Sequence, residues 1–246
     1  MDYIRGAEEG VRPQYGKGVK YIGIMANDFD CPMGPEDQQN LQVLFDAVEC
    51  IDRYIDSQPS IEEMDEMFDQ IIGFLQENNT QINVQEGQGP LPQELLTQLA
   101  TLKEMLGQIE NRDDFFAHVV NLKEITHRLR ITRDVRQYVA DSLSGGKETA
   151  ALSFSVMDEN RFNQAFKDFF ELAGATGNLI DDIVDAKADY ANGEIALKPN
   201  IGFYLIALGH AIKNLVKAAW LYPKKMKRLR MIKAPLKQLE ERRRIC

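Results

Sequence analysis

From residue 36 almost to residue 244, apolar residues recur at helical spacing, and no strand-like alternation survives beyond a few residues. That period lines up side chains along one face of an α-helix, whereas a strand needs a period of two. The chain is therefore expected to be all-α. Helices are predicted near 36–57, 60–78, 92–110, 113–143, 147–156, 159–192, 200–221 and 224–244, the last interrupted at Pro235. Ser60-x-x-Glu63 ahead of Met64, Met67 and Phe68 reads as a capping box. Residues 78–90 form a polar loop rich in breakers, and Gly145-Gly146 is predicted to break or kink the chain. Pro199 fits a helix start, and Pro223 separates the last two helices. Residues 1–35, with Gly10, Gly16, Gly18, Pro13, Pro32 and Pro35, read as an irregular lead-in, in which residues 18–25 could form a short strand. The expected organisation is that lead-in, a helical domain over 36–223, and a basic C-terminal helix over 224–246.

An apolar content of 44% over 246 residues supports a full core. No hydrophobic run approaches the length that spans a bilayer, and the charged start of the chain does not read as a secretory signal. The three cysteines, Cys31, Cys50 and Cys246, show no ligand spacing, which points to a reducing cytoplasm. His118, His127 and His210 are isolated and read as structural. Charge is uneven. Residues 224–246 hold ten Lys/Arg and two Glu; with −9 over the whole chain, residues 1–223 carry −17. An acidic body argues against nucleic acid as a partner. The basic C-terminal segment is suited to peripheral contact with anionic lipid headgroups.

The chemistry concentrates in Gly174-Ala-Thr-Gly-Asn178-Leu-Ile-Asp181-Asp182-Ile-Val-Asp185-Ala-Lys-Ala-Asp189. On a helix Asp181, Asp185 and Asp189 share a face, with Asp182 beside them. Like charges at that spacing repel, so the helix loses stability by keeping them. A hard divalent cation offsets that repulsion, and Mg²⁺ is usually held by one or two carboxylates together with substrate phosphates. Leu172, Ala173, Leu179, Ile180, Ile183 and Val184 surround the acids, and Gly174 and Gly177 precede them. Each helical glycine costs about 1 kcal/mol against Ala, so these two suggest close packing or room for a ligand. A second acidic face is Asp46, Glu49, Asp52 and Asp56.

Gly174-x-x-x-Asn178-x-x-Asp181-Asp182-x-x-Asp185 resembles the second aspartate-rich motif of trans-prenyl diphosphate synthases, with Asn178 where Gln is usual. Its extension to Asp189 resembles the metal motif of class I terpene cyclases. Gly193-Glu-Ile-Ala-Leu197-Lys-Pro199 is similar to the segment that follows the second motif in squalene and phytoene synthases. Asp52-x-x-x-Asp56 resembles the first motif of those last enzymes, while Arg53 takes the place of the doubled Asp in chain-elongating synthases. The resemblance is to the class I isoprenoid synthase superfamily. It implies a single helical bundle around a central apolar cavity, with both acidic motifs across its mouth.

The resemblance further implies Mg²⁺ as cofactor, held by Asp52 and Asp56 on one side and by Asp181, Asp182, Asp185 and Asp189 on the other. Asn178, Arg128, Arg133 and Lys147 are expected to bind the diphosphate. Phe170, with Phe169 and the Phe115-Phe116 pair, is expected in the apolar wall. The implied function is a prenyltransferase or related isoprenoid synthase that ionises an allylic prenyl diphosphate. Two alternatives stand beside it: a terpene cyclase, favoured by the Asp181/Asp185/Asp189 spacing, and a non-catalytic helical binding or scaffolding protein. The expected partners are the prenyl diphosphate, a second copy in a homodimer and a membrane surface.

Overall fold

The computed structural model describes residues 13–56, 58, 60–76 and 92–222. Among them the chain is built from helices, with no strand. The order is α1 (Pro13–Asp28), α2 (Pro35–Asp56), α3 (Ile61–Gln76), α4 (Gln93–Leu106), α5 (Arg112–Ile131), α6 (Val135–Ser155), a short 3-10 turn (Glu159–Arg161), α7 (Gln164–Asn192) and α8 (Ile201–Leu221). The predicted helix over 224–244 lies outside the described residues.

Over residues 13–28, helix α1 corrects the expected irregular lead-in and its short strand over 18–25, while residues 1–12 lie outside the described residues. Val19, Ile22, Met25, Ala26 and Phe29 recur at helical spacing and are all buried. Gly18, one of the glycines that read as breakers, allows close approach instead. A Cβ on Gly18 would lie 3.0 Å from the Phe45 ring of α2. The helix ends where Asp30 adopts a left-handed backbone (φ 60) and Cys31 N–H donates back to the Ala26 carbonyl at 3.1 Å.

The expected break at Gly145-Gly146 is also corrected. Helix α6 runs unbroken through both glycines, and the chain breaks at residues 132–134. There Thr132 is extended (ψ 142), and the Asp134 carboxylate accepts from Gln137 N–H at 2.8 Å, capping α6. The glycines serve the crossing of α6 with α7. A Cβ on Gly146 would lie 2.3 Å from the Gly174 carbonyl oxygen, and one on Gly174 would lie 2.4 Å from that of Gly146. The two backbones therefore touch directly. Gly177, one turn on, has nothing within 4 Å among the described residues.

A large apolar core joins α1, α2, α3, α4, α5 and the halves of α6 and α7 that adjoin the 3-10 turn. Part of it is a ring cluster in which Phe166 packs on Phe29, Phe154, Phe162 and Phe170 at centroid distances of 5.5–5.8 Å. A second core joins Tyr138 and Val139 of α6, Leu179 and Ala186 of α7, and Phe203, Ala207 and Ala211 of α8. One buried carboxylate links distant chain segments. Asp37, at the start of α2, accepts from Gly34 N–H (2.8 Å), from Asp158 N–H (2.9 Å) and from Arg161 (3.3 Å). No described helix is long and apolar enough to cross a membrane.

Candidate functional site

Helix α7 is set by its ends. Asn163 caps it by accepting from Phe166 N–H at 2.9 Å. Gly193 closes it with φ 79, and Glu194 N–H reaches back to the Asp189 carbonyl at 2.8 Å. The intervening helix packs chiefly on α6 and α8. Its acidic turns are oriented by that contact. Asp181 is exposed, Asp185 and Asp189 are half-buried, and Asp182 turns toward α6.

Beneath Asp182 lies a polar seam between α5, α6 and α7. Asn178, one turn before it, donates to the Ser142 carbonyl at 3.0 Å and lies 3.4 Å from the Ser142 hydroxyl. Ser142 also hydrogen-bonds the Asp182 carboxylate. The second Asp182 oxygen, Oδ2, is buried with no hydrogen-bond partner among the described residues. Burial pushes the Asp182 carboxyl up to about 6; the Ser142 bond opposes this, and the charges of Asp181 and Asp185 add to it. The neighbouring Tyr138 hydroxyl is likewise held above its ordinary range, first by burial and then by Asp182 and Asp189. Tyr138, Asp141 and Ser142 have no signature in the sequence. They join the site because α6 presents its buried face to α7.

The cations are distributed differently from the sequence expectation. Arg128 does not stand free for a diphosphate: its Nε donates to the buried Asp141 at 3.0 Å, and Gln137 donates to the same carboxylate at 2.9 Å. Lys147 is exposed on a continuous α6, so the kink expected to aim it does not occur. Arg133, in the α5–α6 connection, does line a recess. An open groove of about 610 Å³ runs between Arg133, Val135, Tyr190, Ala196, Leu197, Lys198 and Asn200. Two cations and the capped N-terminus of α8 face it, next to the acidic end of α7. Lys198 belongs to the segment that the sequence pairs with the acidic motif, but its charge was not singled out there.

Asp52 is exposed on α2, and Asp56 is the last residue of that helix, its side chain outside the described set. Arg53, between them, pairs with Glu94 at 3.1 Å. Helix α2 packs chiefly on α4 and α1. The ends of α2 and α7 nevertheless share one end of the molecule through Arg130. Its guanidinium makes a long contact with the Ile55 carbonyl (3.5 Å), and its own carbonyl accepts from Ala196 N–H (2.9 Å). Phe170 is buried and stacked on Phe166, edge-on to Phe154. Phe115 and Phe116 meet edge to face at 5.5 Å. His118 and His127 are held by Glu148 and Asp65, each at 2.8 Å. Among the described residues, no three His, Cys, Asp or Glu side chains are grouped to hold a metal ion. In comparisons with known proteins, no family model, no curated protein and no solved structure matches the chain.

Proposed function

We propose that the chain is a Mg²⁺-dependent isoprenoid synthase that binds an allylic prenyl diphosphate at the acidic end of α7. The observation that carries this reading is the Asp182 carboxylate, buried with one oxygen unpartnered in a row of four acids. An anion in that state lacks the cation that would offset its lost hydration. The donor set suits a hard ion, because Mg²⁺ needs only one or two carboxylates when phosphate oxygens complete its shell. Asp182 and Asp185 would hold it, with Asp181 and Asp189 on either side. When bound, Mg²⁺ neutralises charge on the departing diphosphate. Asn178 holds Ser142, which in turn bonds the Asp182 carboxylate, and Arg133 and Lys198 would give the diphosphate charge-assisted donors. The allylic C–O bond breaks with its electron pair on the diphosphate. Buried aromatic rings such as Phe170 suit the shielding of the remaining carbocation, within an apolar cavity of the isoprenoid synthase type.

The test is turnover of geranyl, farnesyl and geranylgeranyl diphosphates with Mg²⁺, with and without isopentenyl diphosphate. Elongated product supports chain extension, and diphosphate release without isopentenyl diphosphate supports cyclisation or coupling. Activity should disappear in Asp181→Asn and Asp185→Asn while the helical circular dichroism is kept. Silence on every donor, together with no thermal stabilisation by Mg²⁺ and a diphosphate analogue, would overturn the proposal. One observation favours a second reading, a helical binding protein: α8 presents an apolar face to solvent.

A further inference from the structure

Helix α8 buries only one side. Phe203, Ala207, Ala211 and Ala218 pack inward. On the opposite side Ile201, Leu205, Leu208, Ile212, Val216 and Trp220 recur every three or four residues, and all are exposed. Ile201 is 77% exposed, Leu205 67% and Trp220 81%. The outer face of a bundle helix is normally polar, and a contiguous apolar stripe of this kind marks an interaction surface.

The charge around the stripe selects its occupant. Residues 201–221 contain no Asp or Glu, although residues 1–223 carry −17 overall. Lys213 and Lys217 are exposed beside the stripe. The sequence continues with five Lys/Arg between residues 224 and 230. A second copy would bring a second set of cations against the first, with no acids on the helix to neutralise them. The basic segment after residue 223 would meet Lys213 and Lys217 with like charge. An anionic bilayer surface supplies the opposite charge and an apolar layer at the same depth. Trp220, at the end of the stripe, is the side chain that best suits the boundary between the two. We propose that α8 lies in the plane of an anionic lipid surface, its apolar face in the acyl boundary and its lysines among the headgroups. This docking does not depend on the catalytic reading.

Trp220 is the only tryptophan of the chain, so its fluorescence reports on this face alone. The full chain is titrated with vesicles of phosphatidylcholine, with and without phosphatidylglycerol, at 0.15 M salt. The expected result is solvent-like emission in buffer, and a blue shift that grows with the phosphatidylglycerol fraction and weakens with salt. Lys213→Gln and Lys217→Gln should each weaken the partition about fivefold. Leu205→Gln with Ile212→Gln should lower it at least about tenfold. Both residues are exposed, so circular dichroism and melting should stay unchanged. No shift with either vesicle overturns the proposal, and equal binding to neutral vesicles overturns the anionic surface. Blue emission already present in buffer also overturns it. If that emission varies with concentration, a second copy covers the face; if it does not, another segment of the chain does.

Discussion

Replacing Gly146 by Ala and Gly177 by Ala should move stability in opposite directions, although both glycines lie inside helices. Alanine gains about 1 kcal/mol of helix propensity over glycine at an unobstructed site. At Gly177 nothing among the described residues lies within 4 Å of the new methyl, so the full gain of about 1 kcal/mol is expected. At Gly146 the new Cβ would meet the Gly174 carbonyl oxygen at 2.3 Å and the Ala175 Cα at 2.7 Å. Both obstacles are backbone, so no rotamer relieves them, and α6 and α7 must separate by about 1 Å. Overpacking costs about 1–3 kcal/mol, and a backbone clash belongs at the upper end. Set against the propensity gain, the net loss is about 2 kcal/mol. For a chain of this size, that lowers the melting temperature by about 4–8 °C, while Gly177→Ala raises it by about 2–4 °C. Urea unfolding followed at 222 nm, together with thermal melts, measures both. The double variant Gly146→Ala/Gly174→Ala should cost less than its two singles together, because the first separation already makes room for the second methyl. A Gly146→Ala protein as stable as wild type, or additive losses, would refute the direct contact.

Asp182→Asn should stabilise the metal-free protein at pH 8. The carboxyl is raised to about 6 from 3.8, so the stability it contributes is fully present below about pH 4 and is lost as pH rises through about 6. The gain from the neutral amide should approach 3 kcal/mol at most at pH 8 and vanish near pH 4; a gain independent of pH in urea titrations would contradict the assignment. Arg128→Met should cost about 2 kcal/mol in the same assay, because it leaves the buried Asp141 with Gln137 alone. No loss there would mean that the pairing of Arg128 with Asp141 does not contribute to the fold.

The described helices from residue 36 onward were legible because apolar residues recur along them every three to four positions, a period that survives any rearrangement of neighbours. Glycine misled the reading twice. In α1 and at Gly145-Gly146 its propensity cost is outweighed by the contact it permits, and a propensity scale has no access to the opposing backbone. The α5–α6 break falls instead at residues 132–134, where Asp134 caps α6, and no glycine or proline marks it. At the site, the sequence located the acidic turns of α7 but not which acid faces inward. Around α7, Asp182 stands about 100° from Asp181 while Asp185 stays on the Asp181 face, and only the position of α6 selects Asp182. Tyr138, Asp141 and Ser142 were invisible for the same reason. Arg128 was visible as a cation, but its commitment to Asp141 depends on how two helices pack.

The bonds around Asp37 have a kinetic consequence. Its acceptors close a chain loop of more than 120 residues to Asp158 and Arg161, so the loop entropy must be met before any of them forms. Helix pairs joined by short connections, such as α5 with α6, need no such closure. The clasp is therefore expected late in assembly, once apolar contacts such as Phe29 on Phe166 have closed the same span of chain. Contacts made after the rate-limiting barrier leave the folding rate unchanged and hold back unfolding. The clasp at the start of α2 thus acts on the lifetime of the folded chain rather than on the speed with which it is reached.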